Sequence, residues 1–134
     1  MTFLEFKDSL TAETFGDKKV PEDKYLLPLL NKSLEQIARK AKPLTLRTCD
    51  ISFDLLCWTD EPETFIRKPK EIKNDTDILD IDESLEMAVV YQTAYKFVHM
   101  DSKAYYIGLR DGELSTYYWD LYVILNANKE LVDD

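Results

Sequence analysis

Read for the spacing of its apolar positions, the chain falls into four stretches. Phe3, Phe6 and Leu10, with Glu13 completing the step, fall on successive turns of a short amphipathic helix over residues 2–15, capped by Thr2 and stopped by Gly16. After a polar link at 17–20, Pro21 is expected to open a second helix, and Pro28 to kink or restart it. From there Leu27, Leu30, Leu34, Ile37 and Ala41 repeat in steps of three and four, while Lys32, Glu35, Gln36, Arg39 and Lys40 take the other face. Pro43 ends this helix.

Next the period changes. Leu44, Leu46, Thr48, Ile51, Phe53 and Leu55 come close to alternation, Thr64-Phe65-Ile66-Arg67 forms another short strand, and Glu71-Ile72 a weaker one. Thr59-Asp60-Glu61-Pro62 reads as the turn between strands. A small antiparallel sheet or hairpin over residues 44–73 is the expectation.

A polar connector from Lys73 then leads into the longest helical signal, Asp80 to Asn126. Its opening Asp-Ile-Asp-Glu-Ser suits the positive end of a helix. Leu85, Ala88, Tyr91, Tyr95 and Val98 form one apolar stripe, and Met87, Val90, Ala94 and Phe97 a second, so this helix is covered on at least two sides. The run breaks at His99-Met100-Asp101-Ser102, where Asp101 or Ser102 can cap a further helix facing inward through Ile107, Leu114, Tyr118, Leu121 and Leu125. Two helices joined by a short turn make an αα-hairpin. The tail at 127–134 carries no usable period, and such a tail frays unless something holds it.

The fold class that follows is α+β and mainly helical: one domain, an antiparallel bundle of three or four helices built from 1–43 and 80–126, with the β segment 44–73 inserted. A length of 134 residues suits a single domain that buries roughly two thirds of its unfolded surface.

Charge narrows the functional classes. There are 26 acids against 17 bases, a formal net charge of −9. A surface that grips phosphate needs clustered Lys and Arg, so nucleic-acid binding is disfavoured. An acidic wall past which DNA slides is compatible with this balance. Cys49 and Cys57 make no disulfide framework in a chain of this size and read as free thiols of a reducing compartment. No stretch approaches the roughly 20 apolar residues of a membrane span. The first residues lack a basic segment, so the chain is expected in the cytoplasm of the cell that makes it.

Candidate chemistry is sparse. Asp75, Asp77, Asp80, Asp82 and Glu83 are dense enough for a calcium loop, but counting from Asp75 places Leu79 fifth and Asp80 sixth, where a ligand and a glycine are required. Capping and solvation account for these acids. Glu71-Ile72-Lys73 with Asp54 or Asp60 upstream is the acid, acid-x-Lys pattern of magnesium nucleases, without the basic surroundings a nucleic-acid substrate needs. His99, the single histidine, lies at a helix end, where a cation is favourable, and no neighbour nominates a nucleophile. The expectation is no catalytic set, no metal and no cofactor.

Tyr105, Tyr106, Tyr117, Tyr118, Trp119 and Tyr122 give the last helix more rings than one face can bury. With Tyr118 assigned to the core, Tyr117, Trp119 and Tyr122 become candidates for a protein interface, where Tyr and Trp bury large areas at low entropic cost. A base-stacking platform would need interleaved Lys and Arg, and none occurs between Leu114 and Asn126. Arg67-Lys68-Pro69-Lys70 is the one basic knot, best suited to meeting the carboxylates of another copy.

The order of parts carries a family resemblance. A short helix and a Pro-containing Leu-rich helix precede a small strand segment ending in Ile66-Arg67-Lys68-Pro69; Leu79-Asp80-Ile81-Asp82-Glu83-Ser84-Leu85 and a Tyr-rich helical hairpin follow. Over residues 20–125 this layout resembles the head-to-tail connector (adaptor or head-completion) proteins of tailed bacteriophages. The resemblance implies a virion protein, assembled in the host cytoplasm. It implies a ring, commonly of twelve copies, that sits beneath the portal protein and passes DNA toward the tail without binding it specifically. Residues 80–126 would build the ring, 44–73 would reach the tail or further adaptor proteins, and 127–134, with Leu131 and Val132, would dock on the portal. The alternative use of the same charge is a small acidic regulator or DNA mimic that inhibits a nucleic-acid-binding partner, which requires carboxylates ordered on one face.

Overall fold

The computed structural model describes residues 1–14 and 19–133, with side chains described through Ala127. Helix α1 (Phe3–Glu13) begins at Thr2, whose hydroxyl accepts the Glu5 amide while the Glu5 carboxylate accepts the Thr2 amide. This reciprocal cap satisfies two amides that a helix start would otherwise leave unpaired. Phe3, Phe6 and Leu10 are fully buried, as their spacing predicts; each contributes about 1.5–3 kcal/mol by leaving water. The stop expected at Gly16 lies outside the described residues.

Helix α2 (Asp23–Ala41) starts two residues after Pro21 and runs as one element through Pro28. The restart expected at Pro28 does not occur. Its ring costs the helix one amide donor near the N-terminal end, on the exposed side. Leu26, Leu30, Leu34, Ile37 and Ala41 are the buried seam, with Leu27 partly buried beside it. Lys42 turns the chain with φ of 48°, and Pro43 prevents continuation.

A 3₁₀ turn at Leu44–Leu46 leads into three short strands, β1 (Arg47–Thr48), β2 (Leu55–Trp58) and β3 (Phe65–Arg67). They form one antiparallel sheet in the order β1-β3-β2, with Arg47 opposite Ile66 and Trp58 opposite Phe65. The strand expected from Ile51 begins four residues later, at Leu55, and 51–54 is exposed loop. Glu71-Ile72 is not a strand; Asn31 holds it to α2 by accepting the Ile72 amide (2.8 Å) and donating to the Ile72 carbonyl (3.1 Å). Leu46, Leu56 and Ile66 pack on Ala38 of α2, forming a small second core under the sheet.

The segment before the hairpin is stitched to α1: the Phe3 amide donates to the Asp77 carbonyl (2.9 Å) and the Leu79 amide to the Met1 carbonyl (2.9 Å). A 3₁₀ turn (Glu83–Leu85) precedes α3 (Glu86–Tyr95), and α4 runs from Met100 to Asp133. Helix α3 therefore begins six residues after the start read from the acids at Asp80. It is the central element, with Glu86 and every residue from Ala88 to Ala94 buried. Its polar members are satisfied: Gln92 donates to Gln36 of α2 (3.0 Å) and accepts from Arg110 of α4 (2.8 Å), tying three helices together. The fold is α+β and mainly helical, with four α-helices and one small three-stranded sheet among the described residues. The boundary expected at 126 is absent, because α4 continues through the segment read as a tail.

Candidate interaction surfaces

The acids read as helix caps do something else. Asp80 takes a two-pronged ion pair from Arg67, with Nη1–Oδ2 at 2.5 Å and Nη2–Oδ1 at 3.0 Å, and its Oδ2 also accepts the Lys70 amide at 2.9 Å. Burial raises the Asp80 carboxyl, but the Arg67 and Lys70 hydrogen bonds and their charges outweigh it and hold it below the usual range. Arg67 is thus committed to its own chain, which corrects the expectation that it meets another copy. Lys68, half exposed, lies 3.5 Å from Glu35.

Asp82 makes no cap either. Its Oδ2 accepts the Tyr117 hydroxyl at 2.8 Å, and its Oδ1 accepts the amide and hydroxyl of Thr45. Tyr117 also accepts the Leu44 amide at 3.1 Å, so one ring joins α4, the start of the β segment and the approach to α3. Burial, reinforced by the hydrogen bond to Asp82 and its charge, pushes the Tyr117 phenol up to about 12, against the opposing Leu44 amide and Arg47. Tyr117 is buried within its own fold, which removes it from the candidate interface. Tyr118, assigned to the core by spacing, is instead 44% exposed, its hydroxyl donating to the Lys40 carbonyl. The inward face of α4 is Tyr106, Leu114, Tyr117 and Leu121, one residue out of phase with the predicted one at two of its turns.

Trp119 and Tyr122 lie outside the core at 65% and 60% exposure, their rings stacked with centroids 5.9 Å apart. Beyond Leu121, the last buried residue among those described, Tyr122, Val123, Ile124 and Leu125 are all exposed. Spacing singled out only part of this surface. Four adjacent apolar residues without a polar partner face were the available signal. The side chains of Leu131 and Val132 lie outside those described; their backbone belongs to α4.

A second uncovered surface lies on the sheet. Trp58 and Phe65 face each other across β2 and β3 with centroids 4.6 Å apart, on the side away from Ile66 and α2. Leu55 is exposed in β2, and Ile51 and Phe53 stand free in the loop before it.

The remaining candidates are dispersed. Asp75 bonds Lys7 at 2.8 Å, and Asp77 accepts the Lys73 and Asn74 amides. Asp54 and Glu71 border a groove of about 640 Å³ between α2 and the Arg67–Glu71 segment, whereas Asp60 faces Lys42 at 3.7 Å. Among the described residues, no three His, Cys, Asp or Glu side chains gather to hold a metal ion. His99 is exposed, and its carbonyl accepts the Ser102 amide at the start of α4. Cys49 and Cys57 are unpaired with each other, one exposed and one partly buried. Among the described residues, no helix is long and apolar enough to cross a membrane.

Comparison with family models, with curated proteins and with solved structures finds no match to this chain.

Proposed function

We propose that this chain is a structural, non-catalytic subunit of a larger assembly, a head-to-tail connector of a phage virion. The observation that carries the reading is the far half of α4. A helix of 34 residues, about 51 Å long, has its last described inward contact at Leu121 and then shows apolar side chains to water. Exposed apolar surface of this extent marks an interaction site. The sheet offers a second such surface through Trp58 and Leu55, so the subunit can meet neighbours at two places. An acidic excess of nine charges suits a passage that must not retain DNA. In this reading the portal and tail proteins are the other partners, and the chain works in multiple copies.

Quantitative mass spectrometry of purified particles tests the proposal. The expected result is this chain at several copies per portal assembly; particles that join head to tail without it refute the connector role.

A further inference from the structure

Acids outnumber bases 26 to 17 in this chain, and its lysines find carboxylates readily. Lys7 lies between Asp23 and Asp75, Lys42 faces Asp60, and Lys68 faces Glu35. Lys32 of α2 and Lys96, at the C-terminal end of α3, are placed near each other instead. The packing of the two helices brings this about. Gln92 meets Gln36, and one turn further along α3 the Lys96 side chain reaches α2 at Leu29, one turn before Lys32. Glu35, the only acid of α2 beyond Asp23, is taken by Lys68. Among the described residues, neither Lys32 nor Lys96 forms an ion pair. The Lys96 Nζ has one protein acceptor for its three donors, the Leu29 carbonyl at 3.3 Å, which it shares with the Ser33 hydroxyl.

We infer that Lys32 and Lys96 together form a modification site for an acyl phosphate, Lys32 holding the phosphate and the Lys96 amine taking the acyl group. Two neighbouring lysines with no acid between them attract an anion, and Lys32, the exposed one, is free to follow a phosphate as a point charge. Lys96, the part-buried one, is the nucleophile. Burial and the like charge of Lys32 lower its ammonium to about 8, and desolvation and a cationic neighbour are the two devices that activate a lysine amine. At pH 7.5 about a quarter of such a group is neutral, against about a thousandth of an ordinary lysine. The neutral nitrogen attacks the acyl carbon: an N–C bond forms, the bond from that carbon to the phosphate oxygen breaks with its electron pair leaving on inorganic phosphate, and the nitrogen's proton passes to water. The amide product keeps one N–H for the Leu29 carbonyl and carries no charge, so it suits a part-buried place better than the ammonium does. A neutral ester or a thioester offers Lys32 no charge next to the reacting carbon, which selects the acyl phosphate as donor.

Incubation of the purified full chain with acetyl phosphate at pH 7.5, with acetylation of each lysine followed over time by peptide mass mapping, tests this. Lys96 is expected to react about tenfold faster than the exposed Lys40 and Lys73. Concentrated urea should erase the difference, because it depends on the fold. The acetyl ester of N-hydroxysuccinimide, an uncharged reagent, supplies the comparison for Lys32→Gln, a change at an exposed side chain whose folding far-UV circular dichroism checks. In that variant the Lys96 rate with acetyl phosphate should fall about fivefold relative to its rate with the ester. A change in the amine itself moves both rates alike, so the ratio reports the phosphate contact. Lys96 acetylated no faster than Lys40, a preference that survives urea, or a ratio unchanged in Lys32→Gln overturns the inference. None of these results touches the connector proposal, which stands or falls on particle composition.

Discussion

Helix α3 and the far half of α4 are written in the same residue types and meet opposite fates. Between Ala88 and Ala94 every side chain of α3 is buried, enclosed by α1, α2 and α4. Between Tyr122 and Leu125 every side chain of α4 is exposed. A helix apolar on all sides must be surrounded. Spacing alone does not say whether the surrounding elements belong to the same chain. Here the body of the fold ends near Leu121 while the helix continues.

The sharpest way to break this comparison is to place a charge in each helix. Val89→Asp puts an unpaired carboxylate where exposure is zero; it is expected to cost about 4 kcal/mol or more, a large part of the stability of an ordinary domain. Val123→Asp, at 47% exposure, should change the stability of the isolated copy by no more than about 0.5 kcal/mol. Urea titrations of both variants measure the contrast. Comparable losses would mean that the far half of α4 is covered by its own chain.

A smaller effect locates the border between the two regimes. Tyr117→Phe removes the hydroxyl that donates to Asp82 and accepts from Leu44, leaving that amide unpaired in a partly buried place. The expected cost is about 1–3 kcal/mol, against nearly nothing for Tyr122→Phe. The titration has a definite sign. A phenol raised to about 12 in the fold from about 10 when unfolded adds stability that is complete below pH 10 and is lost as pH rises toward 12. Alkaline unfolding followed by tyrosinate absorbance should therefore lose part of its slope in this window in Tyr117→Phe. An unchanged slope would place the phenol outside the core.

What spacing could and could not reveal follows from the range of the forces involved. The Thr2 cap, the α2 seam from Leu30 onward (its first member is Leu26, where spacing gave Leu27), the stop at Pro43 and the two-sided burial of α3 depend on neighbours within a few residues, and all were legible. The choice between Tyr117 and Tyr118 was not, because both are aromatic, adjacent and compatible with Leu114 and Leu121. Contacts with Asp82 and Leu44, 35 and 73 residues away, decide it. Asp80 and Asp82 looked like caps for the same reason: their partners Arg67, Thr45 and Tyr117 are near only after folding. The displacement of β2 to Leu55–Trp58 reflects pairing with β3, which a run of alternating residues does not specify. As for the candidate surface, the surplus of rings was legible, whereas the place where the body stops covering α4 is a property of the other helices.

The mildest test lies just past the C-terminal end of α3, where Lys96 carries a charge into the covered region. Burial and the like charge of Lys32 lower its ammonium to about 8, and its Nζ donates to the Leu29 carbonyl at 3.3 Å. That carbonyl also accepts the Ser33 hydroxyl at 2.8 Å, so removing the ammonium leaves it paired. A lysine depressed to about 8 in the fold, against about 10.4 unfolded, contributes stability that is present above the unfolded value and is lost as pH falls through 8. At pH 7 the fold therefore holds a charge it would be more stable without. Lys96→Met should raise the thermal midpoint slightly at pH 7, by the equivalent of less than about 1 kcal/mol given the part-exposure of the side chain. The difference from wild type should vanish as pH approaches 10. A variant less stable than wild type at pH 7 would show that the ammonium is solvated at its tip, and that the cover over α3 ends before Lys96.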